Sequence, residues 1–153
     1  MTEISNDAEF KNILVALNPV QQRAVAAKFV QHVAELSEDQ RINRVIKTAA
    51  DAEASDEELA AALKTAKAAT FDSHARCGAE GHWLDQAGYF VARAAVAAVT
   101  PPAQSRGGGP AWQAAMAARM AYTSMLIDDP SDEYSAHTEC EWQHRSLSDH
   151  LNA

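Results

Sequence analysis

The stretch from Trp83 to Thr100, WLDQAGYFVARAAVAAVT, decides the fold. On a helical wheel at about 100° per residue, its only strongly polar members are Asp85, Gln86 and Arg93. They fall within roughly a third of the circumference. The rest is apolar, much of it alanine. A helix apolar over so much of its surface belongs inside a bundle. One charge pair, one amide and many weakly hydrophobic alanines argue against a membrane span. The stretch is read as the central helix of an all-α domain.

Working outward, the helix starts are well marked. Asn6 with Glu9 resembles a capping box and opens a first helix to about Leu17, with Phe10, Ile13, Leu14 and Leu17 on one stripe. Asn18-Pro19 opens a second helix to about Leu36, which buries Phe29, Val33 and Leu36 and exposes Gln21, Gln22, Arg23 and His32. Ser37 with Gln40 predicts a third start, its helix reaching about Ala52 with Ile42, Val45, Ile46, Ala49 and Ala50 inward. Ser55 with Glu58 predicts a fourth, behind an acidic first turn that suits the helix dipole. Gly78 and Gly81 predict a break between Cys77 and Trp83.

Beyond the central helix, Thr100-Pro101-Pro102 disfavours further helix, and Ala103 to Pro110, AQSRGGGP, reads as a short loop. It lacks the preceding strand and the GKS or GKT ending that a phosphate-binding glycine loop requires. A sixth helix follows from Pro110 to about Asp128, with Trp112, Met116, Met120 and Ile127 along one side and alanines on much of the rest. Those alanines predict a close approach to the central helix. Asp129-Pro130 opens a last helix to about Leu151. With no repeat of about 20 to 50 residues and no alternating strand pattern, the expectation is one domain over residues 1–153. It is a bundle of about seven helices around an alanine-rich central pair.

Composition narrows the function. The chain has 153 residues and a net charge of −8, so it lacks the basic face that a dedicated nucleic-acid or anionic-membrane binder needs. An acidic N-terminus without an apolar run following it predicts a cytoplasmic protein. Two cysteines are too few for a disulfide scaffold at this length.

One constellation carries possible chemistry. On the last helix, Tyr134, His137, Cys140, His144, Leu147 and Leu151 fall within about 80° of one another. His74, Cys77 and His82 form a second group near the predicted break. Both groups share His-x-x-Cys, a spacing that places two side chains on one helical face. The leading reading is of small buried thiols with hydrogen-bonded or half-exposed histidines. The competing readings are a zinc site drawn from His74, Cys77, His137, Cys140 and His144, a buried polar pocket for a small molecule, and a Cys77–Cys140 disulfide. Glu141-x-x-His144 is the one di-iron-type motif, where a ferritin-like site uses two. Arg119, in an otherwise apolar helix, calls for an acidic partner.

No known catalytic motif stands out, which leans against an enzyme. The expected function is a small acidic helical interaction module, an inhibitor or immunity-type binder of a basic protein partner. A helical bundle with a small-molecule or metal site in the fourth and last helices is the alternative. Large aromatics (Trp112, Tyr134, Trp142) on alanine-rich helices make a homodimer a further expectation.

Overall fold

A computed structural model describes the backbone of residues 3–80, 83–128 and 136–153, and the side chains of 3–75, 86–126 and 137–153. The described residues form α1 (Asp7–Ala16), α2 (Pro19–Val33), α3 (Gln40–Ala50), α4 (Asp56–Glu80), α5 (Trp83–Val99), α6 (Gly109–Asp128) and α7 (Ala136–Leu151). Short 3₁₀ turns at Ala34–Leu36 and Pro102–Gln104 complete them. No strand occurs among the described residues, and none of their helices is long and apolar enough to cross a membrane.

α5 is the axis of the bundle. It packs most extensively on α6, then on α4, and also meets α2 and α3. Ala87, Val91, Ala92, Ala94, Ala95, Ala98 and Val99 are all buried along it. On α6 the inward face is alanine: Ala111, Ala114, Ala115, Ala118 and Ala121 are buried. The predicted Trp112–Met116–Met120–Ile127 side is not the core face. Trp112 and Met116 are half-buried and Met120 is exposed, while the Ile127 side chain lies outside the described set. Small side chains let two backbones close on each other, and the larger residues are then pushed to the flanks.

Local capping chemistry sets most helix starts. Asn18 Oδ1 accepts from Gln21 N at 2.8 Å while Gln21 Oε1 accepts from Asn18 N, a complete reciprocal box before Pro19. Ser55 and Glu58 make the same exchange ahead of α4. At α1 the box is half formed. Asn6 Oδ1 accepts from Glu9 N, but the Glu9 carboxylate turns to Ser5 instead. The start of α3 is not Ser37. Asp39 is the cap, accepting from Arg41 N at 2.9 Å and pairing with the Arg41 guanidinium, while Ser37 Oγ accepts from Asp39 N. An ionised carboxylate that can hold both a backbone amide and a guanidinium outcompetes a hydroxyl. Asn18→Ala is expected to cost about 1 kcal/mol, read from the urea midpoint.

Two further readings change. Gln22 is buried, its Nε2 donating to Leu17 O at 3.1 Å, so it seals the α1–α2 corner from inside. α4 continues through Cys77 and Gly78 to Glu80, so Gly78 does not end the helix. Two glycines at the start of α6 have a steric role. Gly108 and Gly109 have φ of 91° and 82°, and a β-carbon at Gly108 would strike the Trp112 ring.

Candidate functional site: a cationic cleft and a polar network

α4 and α5 form a hairpin, and one face of each borders an open cleft of about 540 Å³. α4 contributes Leu63, Lys67, Thr70, Phe71 and His74. α5 contributes Tyr89, Arg93, Val96 and Ala97, with Thr100 just past its last residue. Both sets have the same spacing, i, i+4, i+7, i+8, i+11, which is one helical stripe facing another. Gln104, Ser105 and Arg106 of the following loop, with Gln113 and Ala117 of α6, complete the lining.

Charge distinguishes this cleft from the rest of the surface. Lys67, Arg93 and Arg106 border it together with His74, and among the described residues no carboxylate lines it. Among the described residues, no ion pair neutralises Lys67, Arg93 or Arg106. In a chain of net charge −8, three cations gathered around one concavity set a local positive charge against the global sign. The Arg93 guanidinium lies 5.8 Å from the centres of both the Tyr89 and Phe90 rings, which restrict its motion without consuming its N–H donors. Phe71 remains 73% exposed at the rim, an unusual position for a phenyl ring, and the His74 and Tyr89 rings meet at 5.5 Å. The arrangement pairs an apolar wall with donors suited to an anion.

A second groove, of about 750 Å³, lies over α2, α3 and α7, with Lys28, His32, Glu35, Tyr122 and Trp142 on its walls. It is larger but its charges are mixed, so it selects no ligand class. His32 is far from a bare surface residue. Its ring stacks on Trp142 at 3.5 Å and 4°, and Nδ1 comes within 2.9 Å of Glu139 Oε2. That approach is off the hydrogen-bond direction, so neither atom has an aligned partner.

α7 supplies a polar network shared with α1 and α6. Its inward line is Glu139, Gln143 and Leu147, one position round from the expected His137–Cys140–His144 stripe. Gln143 explains the rotation. Its Nε2 donates to Ala115 O at 3.0 Å, and its Oε1 accepts from Arg119 Nε at 2.8 Å. Arg119 then grips Asp7 with two N–H donors at 2.8 and 2.9 Å, so this half-buried guanidinium has its acid. Those bonds, with a further one from His144, hold the Asp7 carboxyl well below the usual carboxylate range despite partial burial. His144 Nε2 lies 2.9 Å from Asp7 Oδ1, and the Cys140 thiol lies 3.5 Å from both atoms.

This trio is not a nucleophile relay. The same ring nitrogen of His144 faces both the thiol and the carboxylate, whereas a relay needs one nitrogen for each. Burial, foremost, also pushes the Cys140 thiol pKa up, away from the thiolate.

Of the six predicted site residues, Cys140 and His144 are therefore brought together. His137 is exposed and pairs with Glu141 at 3.0 Å on the same helix. His74 borders the cleft between α4 and α5, whereas α7 packs on α6 and α2. The side chains of Cys77 and His82 lie outside the described residues, as does the whole of Tyr134. Sequence reasoning passed over Asp7, Lys67, Phe71 and Arg106. Compared with protein-family models, with curated proteins and with solved structures, the chain matches none.

Proposed function

We propose that the protein binds a small amphipathic anion, a carboxylate, sulfonate or phosphate carried on an apolar body, in the cleft between α4 and α5. The observation that carries this reading is the convergence of Lys67, Arg93 and Arg106 on a cleft whose described lining includes no carboxylate, walled by Phe71 and Tyr89. The volume falls in the range of small-molecule sites, about 300–1,000 Å³. The cleft is open, so its cations are hydrated and each contributes modestly. The apolar wall must supply the remainder of the affinity.

Anilinonaphthalene sulfonate is a suitable probe because it joins an anion to an aromatic body. Its emission should rise saturably with protein and weaken as salt is raised. Arg93→Ala should reduce affinity by roughly five-fold, about 1 kcal/mol, and Arg93→Glu with Lys67→Glu by more than an order of magnitude. Arg44→Ala, on the exposed face of α3, should change nothing. Binding that is indifferent to the double reversal would remove the proposal.

A second reading, docking of a basic protein partner in the inhibitor or immunity manner, draws support from the α3–α4 corner. Asp51, Glu53, Asp56, Glu57 and Glu58 are all exposed there. A lysine-rich peptide in the same titration series separates the two readings, because it should compete with salt but not with the sulfonate probe.

A further inference from the structure

We infer that Asp7, Cys140 and His144 form a binding site for a zinc-like divalent ion, with one coordination position left open. The site is independent of the cleft. The three ligand atoms lie within 4.8 Å of one another and comprise a carboxylate oxygen, a sulfur and an imidazole nitrogen. Zinc accepts this donor set, at about 2.0 Å to oxygen and nitrogen and about 2.3 Å to sulfur. Tetrahedral geometry at those lengths requires sulfur to stand about 3.5 Å from each of the other two atoms, and nitrogen about 3.3 Å from oxygen. Both sulfur separations are 3.5 Å already, and the nitrogen–oxygen separation is 2.9 Å. A small opening of that one distance completes the triangle.

The surroundings are consistent with such an ion. Cys140 and His144 are four residues apart on one face of α7, the spacing at which a helix can chelate. Asp7 is held from outside by Arg119, whose Nη1 donates to Oδ2 at 2.8 Å and leaves Oδ1 to turn to the ion. Hydrogen bonds of that kind orient ligating carboxylates in metal sites generally. Arg119 Nη2 must give up its bond to Oδ1, and the guanidinium is the main competitor for the carboxylate. The competition is tolerable because a divalent ion with one thiolate and one carboxylate is neutral overall. On binding, the Cys140 thiol loses its proton to buffer, and a neutral His144 carries its proton on Nδ1 so that Nε2 can ligate. The half-exposed Asp7 side offers an entry path.

The test uses the full chain freed of metal by chelator. Zinc titrated by calorimetry, in two buffers of different ionisation enthalpy, should bind one ion per chain at micromolar affinity or better and release at least one proton. Cobalt should then give the near-ultraviolet thiolate-to-cobalt charge-transfer band. Cys140→Ser should abolish that band, whereas Cys77→Ser should retain it. Asp7→Asn should keep the band and weaken zinc binding by about ten-fold or more. Failure of the parent protein to bind zinc, or a band that survives Cys140→Ser, overturns the inference. Sulfonate binding in the cleft should persist in all these variants, so the two proposals fail separately.

Discussion

Phe10→Ala is expected to destabilise the protein by about 3–5 kcal/mol, the range for deleting a fully buried phenyl ring. Phe10 has no exposed surface, and its ring meets three other rings and one guanidinium. Phe29 lies 5.9 Å away, Trp112 6.1 Å and the His144 imidazole 4.8 Å, with the Arg119 guanidinium 5.6 Å from the ring centre. Removing it opens a cavity under the polar network as well as in the α1–α2–α6 core. For a domain of this size the melting temperature should fall by roughly 10 °C or more. Phe10→Leu should cost markedly less, since most of the volume remains. Tryptophan fluorescence during urea unfolding reads both variants. A loss under about 1 kcal/mol for Phe10→Ala would show that α1 is not docked as described.

The second large effect is expected on the alanine contact. Ala94 and Ala95 on α5, and Ala114, Ala115 and Ala118 on α6, have no exposed surface. Leucine at Ala95 or Ala118 adds three carbons where the backbones are already close, and should cost about 1–3 kcal/mol singly. The pair together should cost more than either. Glycine at Ala94 should cost about 1 kcal/mol, mainly through helix propensity. The informative comparison is leucine against glycine at one position. In a tight contact the larger residue does more harm, and in a loose one it would fill space and stabilise. Leucine variants as stable as the parent would refute the close approach of α5 and α6.

The parts of the fold legible from the residues are those whose causes are local. Asn18 and Ser55 cap their helices because the partners, Gln21 and Glu58, lie three residues on, within the reach of a helical turn. The apolar breadth of α5 likewise declares its central place. The misread faces of α6 and α7 have a common origin. Hydrophobic periodicity assumes that larger and more apolar side chains point inward. On α6 alanine wins because it permits a shorter interaxial distance. On α7 Glu139 and Gln143 win because Arg119 and the Ala115 carbonyl wait for Gln143 on α6. The candidate sites were less legible still. Lys67 and Arg93 each look like an ordinary solvated residue, and only the rotation of α4 against α5 brings them to one cleft. Asp7 belongs to α1's first turn by position, and nothing near it in the chain announces Arg119.

The separation along the chain has a kinetic meaning. α4, α5 and α6 follow one another, and α5 makes its largest contacts with the two helices beside it in sequence. Such neighbours meet after closing short loops. The bond between Asp7 and His144 joins positions 137 apart, and that between Asp7 and Arg119 joins positions 112 apart. Loop closure over such spans costs more entropy and is repaid only once both ends have folded partners. The helical hairpins are thus expected to form the folding nucleus, and the docking of α1 against α6 and α7 to follow the rate-limiting step. Substitutions of Asp7, Arg119 or His144 should then leave the folding rate nearly unchanged and shorten the lifetime of the folded state.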